Sequence, residues 1–239
     1  MTKVKPNVKK QDYYAALDIG SNSFHFVLAR QVEQQLQIIH SEKYRAQLAQ
    51  GLDSQNQLSE KAIARGISTL ENLATSTAQI HADNFRAVAT FTLRQAKNAK
   101  QFLKEASKIF PFDIEIISGH EEARLIYLGV AHNYHSEYKR IVIDIGGGST
   151  ECIVGKGHTI ETLASLTMGC VSFQQKFFGD GKISAKAFEQ AINAAKYELD
   201  SIVKRFTKAS WQQVVGTSGT IKAISALVNQ SEPIARGIN

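Results

Sequence analysis

Two short segments of this chain have nearly the same sequence, and each lies between two runs of apolar residues. Asp18-Ile-Gly-Ser-Asn-Ser23 and Asp144-Ile-Gly-Gly-Gly-Ser149 align without gaps and share Asp, Ile, Gly and Ser at equivalent positions. In each copy an apolar strand ends in an acidic residue, and a glycine turn reverses the chain into the next strand. An ordinary hairpin with a Gly-Ser tip would explain either segment alone. The match between the two segments favours a shared role and predicts two related lobes.

Both loops have the chemistry of an anion-binding turn. Their small residues leave backbone N–H groups free to point at a bound anion such as a phosphate. The carboxylates of Asp18 and Asp144, at the ends of the preceding strands, can hold a hydrated divalent cation that neutralises such an anion. The sequence therefore predicts a pair of phosphate loops that face a common cleft.

The composition is that of a globular protein. Of the 239 residues, 43% are hydrophobic, which is enough for one large domain or two small ones. The formal net charge of +6 includes Lys3, Lys5, Lys9 and Lys10, which belong to a basic leader at 1–11. No apolar stretch of signal-peptide length follows these lysines, so we expect a cytoplasmic protein. The two cysteines lie in strand-like contexts without C-x-x-C spacing and are expected to be buried thiols.

The order of the predicted elements repeats between the two halves. A hairpin over about 13–30 is followed by a third strand, and helices then alternate with strands, including a helix over 95–110. A helix over about 121–132 has the length and apolar face of a connector, and three strands follow within 139–168. A long helix, a short strand and the small-residue loop Gly216-Thr-Ser-Gly-Thr220 come next, before a last helix. By comparison with the first half, we expect the second to lack a helix and a strand.

Six longer segments match sequence motifs of one known family, and several of the matches are nearly contiguous. They are Leu17-Asp-Ile-Gly-Ser-Asn-Ser-Phe-His25, Thr92-Leu-Arg-Gln-Ala96, Glu115-Ile-Ile-Ser-Gly-His-Glu-Glu-Ala-Arg124, Ile143-Asp-Ile-Gly-Gly-Gly-Ser-Thr-Glu151, Met168-Gly-Cys-Val-Ser172 and Gly216-Thr-Ser-Gly-Thr-Ile-Lys222. Over about 12–225 the chain resembles the exopolyphosphatase and guanosine pentaphosphate phosphatase family. The resemblance implies an α/β, actin-like (ribonuclease H-like) duplicated fold, in which two lobes enclose a phosphate-binding cleft. The lobes are expected at 12–125 and 126–239, the second incomplete at its C-terminus, after a disordered leader at 1–11.

Three details resemble the long bacterial exopolyphosphatases more than the pentaphosphate phosphatases: the Gly51-Leu-Asp-Ser54 loop, the Phe24-His25 pair and the Met168-Gly-Cys-Val-Ser172 stretch. The resemblance implies release of terminal orthophosphate from linear inorganic polyphosphate, with water as the acceptor and Mg²⁺ as the cofactor. Guanosine pentaphosphate is the alternative substrate. The tyrosines show no stacking pattern for a nucleic-acid partner. Any membrane association is expected to be peripheral. The full-length form is expected to be a homodimer.

The resemblance also assigns roles to individual residues. Glu121 is implied as the general base that activates water, and Arg94 as the second catalytic residue, whose guanidinium suits phosphate oxygens. Acidic side chains at Glu121 and Glu122 also stabilise the helix dipole by about 0.3–1 kcal/mol, which would explain both without catalysis. Metal coordination is implied for Asp18, Asp144 and Glu151. Phosphate contacts are implied for Ser21, Asn22, Ser23, Gly146, Gly147, Gly148, Ser149 and Ser218.

Three functions stay open at this point. The first is a phosphohydrolase acting on polyphosphate or a nucleotide pentaphosphate, and the second an ATP-binding kinase or ATPase of the same fold. The Glu-Glu-Ala-Arg helix and the Thr-Leu-Arg segment match the phosphatase branch and disfavour the second, and no G-x-x-x-x-G-K-[ST] motif of a P-loop enzyme occurs. The third is a catalytically silent polyphosphate-binding fragment, because family members continue beyond this chain's length. An unfinished second lobe is expected to expose apolar sheet edge and to lower solubility or favour dimerisation.

Overall fold

A computed structural model of the protein describes residues 13–33, 35–77 and 80–231. The predicted basic leader at 1–11 lies outside the described residues. Two sheets form the framework. The strands of the first sheet are β1 (Tyr13–Ile19), β2 (Phe24–Val32), β3 (Gln35–Tyr44), β4 (Phe85–Ala89) and β5 (Ile114–Ile116). The strands of the second sheet are β6 (Arg140–Ile145), β7 (Thr150–Lys156), β8 (Thr159–Leu166) and β9 (Gln213–Thr217).

The α-helices of the described ranges pack on the faces of these sheets or connect them. They are α1 (Glu60–Thr77), α2 (Phe91–Gln95), α3 (Ala99–Ala106), α4 (Gly119–Asn133), α5 (Cys170–Phe178), α6 (Ala185–Ala209) and α7 (Ser218–Ser231). Within the described ranges, none of these helices combines the length and the apolar character needed to cross a membrane.

The two sheets have the same strand order over four strands. The order is β3-β2-β1-β4-β5 in the first sheet and β8-β7-β6-β9 in the second. In both sheets the first three strands form an antiparallel meander, and the fourth strand pairs in parallel with the first. The repeated topology confirms the predicted α/β fold, an actin-like duplication in two lobes. In the described part of the chain, the second sheet has no counterpart of β5, which pairs with β4.

Strand β1 separates its apolar residues from its acidic one. Ala15, Leu17 and Ile19 are buried and pack with side chains of α1 and α3 in the core of the first lobe. Because alternate residues of a strand point to opposite faces of the sheet, Asp18 lies on the other face. The strand therefore holds its carboxylate outside the core, at the end where the first loop begins.

Helix α4 follows the first sheet along the chain but packs on the second. Its residues Ala123, Tyr127 and Ala131 belong to one buried cluster with Val142 of β6. Helix α6 covers the opposite face of the second sheet. The boundary predicted between 125 and 126 falls inside α4, so this helix joins the two lobes while forming part of the second.

Three local predictions differ from the structure. The helix expected over 95–110 is shorter in the structure, where α2 ends at Gln95 and α3 covers only Ala99–Ala106. Between them the Asn98 side chain bonds both backbone groups of Leu58 and separates the two helices. Cys170 was expected in a strand-like context as a buried thiol, but it begins α5 and is exposed. The loop predicted before the last helix is absent from this described region, because α7 starts at Ser218, directly after β9.

Candidate active site

The two predicted phosphate loops adopt the same turn. In the first loop the Gly20 N–H donates to the Ser23 carbonyl at 3.2 Å, and in the second the Gly146 N–H donates to the Ser149 carbonyl at 3.0 Å. Each turn directly follows the strand that carries the acidic residue. The repeat in the sequence is therefore a repeat in structure, and it places equivalent carboxylates before equivalent turns.

The tips of the two loops are in contact. A Cβ atom at Gly147 would lie 2.9 Å from the Cβ of Ser21 and 3.5 Å from the backbone nitrogen of Asn22. The ring of Phe91 occupies the space that a side chain at Gly148 would need. Any side chain at 147 or 148 would push against the first lobe, so glycine at these positions is what lets the lobes meet.

Hydroxyl groups near the loops hold them in place. Ser21 is buried and accepts a hydrogen bond from Thr92 Oγ1 at 2.9 Å. Ser218, with a positive φ of 69° at the start of α7, donates to a backbone carbonyl at the end of β6 at 2.7 Å. Its neighbour Thr217 donates to Asp144 Oδ2 at 2.5 Å. Ser218 therefore already donates its hydroxyl hydrogen within the protein, and a phosphate would compete for it, whereas Ser21 only accepts and keeps its own hydrogen to donate to a phosphate.

Four carboxylates share one electrostatic environment behind the loops. The side chain of Asp18 is accessible, yet the protein around it removes much of its hydration, which raises its pKa to about 7. Repulsion from Glu122 and Asp144 adds to the rise. Burial, followed by repulsion from Glu122, raises the pKa of Glu151 to about 8. Burial also raises the pKa of Asp144. The positive charges nearby therefore do not fully offset the burial and mutual repulsion of these carboxylates.

The two acidic residues in the first turn of α4 have different surroundings. Glu122 is 16% exposed, and its Oε2 accepts a hydrogen bond from Arg94 Nη1 at 3.1 Å. Burial raises its pKa, and Arg94 partly offsets the rise. Glu121 instead accepts from Nε and Nη2 of Arg124 at 2.8 and 2.7 Å, and these bonds lower its pKa. The structure therefore brings Glu122 into the carboxylate cluster and leaves Glu121, the predicted base, outside it.

The packing of α4 decides which glutamate faces the cleft. The helix begins after Ser118, whose Oγ accepts from the Glu121 N–H at 3.1 Å. Ala123 is fully buried against the second sheet. Successive helical residues are rotated by about 100° from one another, so neighbouring side chains cannot face the same direction. With Ala123 toward the sheet, Glu122 points to the cleft and Glu121 to solvent.

Arg94 lies beside Glu122 at the boundary of the lobes. Its Nη1 donates to Glu122 and also to the Ile117 carbonyl at 2.9 Å. The same side chain lines a cavity of about 190 Å³, together with Ser149 of the second loop. A guanidinium held in one orientation next to a phosphate loop is suited to contact phosphate oxygens.

The donor chemistry of the cluster fits a hard divalent cation. Asp18, Asp144 and Glu151 offer carboxylate oxygens, which Mg²⁺ prefers, and a cation would relieve the repulsion among them. Over the described ranges, no three His, Cys, Asp or Glu side chains are arranged closely enough to hold a metal ion. Glu151 instead accepts a hydrogen bond from Ser165 at 2.8 Å. Metal ligation by these residues stays a prediction.

The sequence pattern identified Arg94 but missed a second positively charged residue of this site, Lys43. Lys43 on β3 partly offsets the rise in the pKa of Asp18 and of Asp144 that reduced hydration causes. The strand register pairs Lys43 with His25 on β2, and His25 with Asp18 on β1. This register was the missing signal, because the pattern of β3 alone does not show which residue lies across from the strand-end acid.

Comparison with known proteins gives consistent results. Residues 27–236 match the profile of the Ppx/GppA phosphatase family. A putative exopolyphosphatase of Haemophilus influenzae is 42% identical over 214 residues, which cover 90% of this chain and 66% of the relative. A guanosine-5'-triphosphate,3'-diphosphate pyrophosphatase of Photobacterium profundum is 43% identical over 215 residues, 90% of this chain and 43% of the relative.

The fold has a matching solved structure as well. The Aquifex aeolicus PPX-GPPA enzyme superposes with a TM-score of 0.74 at 29% identity, over 94% of this chain and 74% of that one. The chain spans about two thirds or less of the length of the curated relatives described above.

Proposed function

Because the chain belongs to the Ppx/GppA phosphatase family, we propose that it hydrolyses the terminal phosphate of linear inorganic polyphosphate, with Glu122 as the general base. The observation that carries the proposal is the position of Glu122 among carboxylates behind two phosphate loops. Transfer of a phosphoryl group to water needs charge neutralisation and a positioned water molecule rather than a covalent protein nucleophile. The cleft offers groups for both tasks.

Glu122 is suited to accept a proton from water. Its restricted hydration gives it a higher proton affinity than an ordinary glutamate, and Arg94 at 3.1 Å favours its ionised form and fixes its orientation. In the proposed step, the water oxygen attacks the terminal phosphorus while Glu122 accepts a water proton. The bond between that phosphorus and the bridging oxygen breaks. The products are orthophosphate and a chain shorter by one phosphate.

The remaining residues would bind and orient the substrate. The two loops would surround the terminal phosphate, and Arg94 would contact its oxygens from the cavity that it lines with Ser149. Asp18, Asp144 and Glu151 would hold Mg²⁺, which supplies neutralisation of the phosphate charge when bound.

The adjacent glutamates provide a matched test of the base. Glu122→Gln should lower kcat for orthophosphate release from long-chain polyphosphate by at least about 100-fold, the usual contribution of a general base. Glu121→Gln removes only an exposed pair with Arg124 and should leave kcat within about twofold. Thermal unfolding of both variants checks that they are folded. If Glu121→Gln were instead the slower variant, the base role would return to Glu121.

Guanosine pentaphosphate is the second candidate substrate. The relative named as a guanosine-5'-triphosphate,3'-diphosphate pyrophosphatase is 43% identical and the one named as a putative exopolyphosphatase 42%, so identity does not separate the two activities. Values of kcat/KM for polyphosphate, guanosine pentaphosphate and ATP, measured side by side, make the distinction. A higher value for polyphosphate supports the first proposal, and a higher value for the nucleotide supports the second. Turnover of none of them by the folded chain would favour a silent binding fragment.

A further inference from the structure

A row of polar side chains crosses the first sheet beside the carboxylate cluster. Asp18 on β1 lies opposite His25 on β2, and His25 lies opposite Lys43 on β3. Residues directly opposite one another in antiparallel strands project from the same face of the sheet. Asp18 and Lys43 are separated by two strand spacings of about 4.8 Å each. The four-carbon stem of lysine can cover much of that separation. The ammonium group of Lys43 is therefore available next to the strand-end acid.

A second lysine approaches the same place from the other lobe. Helix α7 begins at Ser218, whose hydroxyl donates to the Ile145 carbonyl at the end of β6 at 2.7 Å. Lys222 lies four residues later and therefore on the same face of this helix. Partial burial is the largest cause that lowers the pKa of His25, and the positive charges of Lys43 and Lys222 lower it further. One ammonium group from each lobe thus lies within electrostatic reach of this ring.

Neither lysine has a fixed partner in the part of the chain that the structure describes. Lys43 and Lys222 are exposed, and neither forms a salt bridge there. Arg94, by contrast, is already paired with Glu122. Uncommitted cations beside a cleft attract anionic ligands and raise their local concentration. This edge of the cleft can therefore take additional negative charge from a ligand.

We propose that Lys43 and Lys222 form a second phosphate subsite, which binds a phosphate of a condensed phosphate chain behind its terminal group. The inference rests on the proposed function, because it extends the same cleft. The subsite selects linked phosphates over single orthophosphate. Since each lobe contributes one lysine, a phosphate bound between them also holds the lobes together.

Binding measurements with ligands of two lengths test the subsite. Inorganic tripolyphosphate and orthophosphate are titrated with Mg²⁺ into the 239-residue chain carrying Glu122→Gln, alone and combined with Lys43→Gln or Lys222→Gln. Each lysine substitution should weaken tripolyphosphate binding by about tenfold, the effect of one charge-assisted hydrogen bond, and orthophosphate binding by less than about twofold. Lys204→Gln, an exposed position on α6, is the matched control and should change neither.

Several results would overturn the subsite. They are unchanged tripolyphosphate binding, an equal loss for both ligands, or a Glu122→Gln chain with both lysines intact that binds tripolyphosphate no more tightly than orthophosphate. Guanosine pentaphosphate, titrated in parallel, separates the two sources of linked phosphates. A loss confined to that nucleotide would also contradict a subsite for the phosphate chain. If the Glu122→Gln background still released orthophosphate, Glu122 would lose its role, and the same comparison would be made on KM.

Discussion

Gly169→Ala is a direct test of whether the second phosphate loop must keep its position. A Cβ atom at Gly169 would lie 2.5 Å from the backbone carbon of Gly147 and 2.5 Å from the backbone nitrogen of Gly148. The φ of Gly169 is −154°, an extended conformation that any residue adopts, so the substitution adds a clash without backbone strain. Both opposing atoms belong to the main chain of the loop, which cannot rotate aside as a long side chain can.

The size of the clash sets the expected effect. Ordinary contact begins at 3.4 Å, so the loop must move by about 0.9 Å. Overpacking of this kind lowers the free energy of unfolding by about 1–3 kcal/mol. A misplacement of about 1 Å in a positioning element can lower a reaction rate by about 100-fold. We therefore expect Gly169→Ala to reduce kcat by about two orders of magnitude while the protein stays folded.

Orthophosphate release from long-chain polyphosphate gives kcat, and urea unfolding gives the stability. Gly129→Ala is the matched control, because the Cβ position of Gly129 in α4 has nothing within 4 Å. Alanine at that helical position should raise stability by about 0.5–1 kcal/mol and leave kcat unchanged. A Gly169→Ala protein with wild-type kcat would refute the reasoning, since the loop would then tolerate the displacement or avoid it.

The carboxylate cluster and the core of the second lobe give further tests. Asp144→Ala or Glu151→Ala should raise the Mg²⁺ concentration needed for half-maximal turnover, and an unchanged metal titration would count against ligation. Arg140 is fully buried, and its Nε and Nη2 have no hydrogen-bond partner in the described part of the chain. Arg140→Met should therefore change the free energy of unfolding by less than about 1.5 kcal/mol, whereas Arg140→Ala should cost about 3 kcal/mol through a cavity. Equal losses in urea unfolding would show that the charge itself is required.

The duplicated fold could be predicted because the loop motif and its flanking strands occur twice. The shared strand order of the two sheets follows from that repeat. The break between α2 and α3 could not be predicted in the same way. It depends on hydrogen bonds between Asn98 and Leu58, which are 40 residues apart in the chain. Such tertiary contacts override the helical pattern of the segment.

The site could be predicted in part. The strand-end positions of Asp18 and Asp144 follow from the loops, and the structure places both in one electrostatic cluster. The choice between Glu121 and Glu122 could not be made, because both suit the first turn of a helix equally well. Only the packing of α4 on the second sheet separates them. Lys43 was missed for a related reason, since its place beside the acids depends on strand register.

Helix α4 joins the two lobes at its beginning, and Glu122 lies much closer to that end than the rest of the helix does. The helix rises about 1.5 Å per residue, so Glu122 is about 4.5 Å along the axis from Gly119 and Asn133 about 21 Å. A rotation about the beginning of the helix would therefore carry its far end almost five times as far as Glu122. Such a rotation would widen the cleft most at its outer edge and would move Glu122, which lies close to the axis, the least. The second loop, Asp144 and Glu151 would move with the second sheet, so the separation of the two loops would measure how far the cleft has opened.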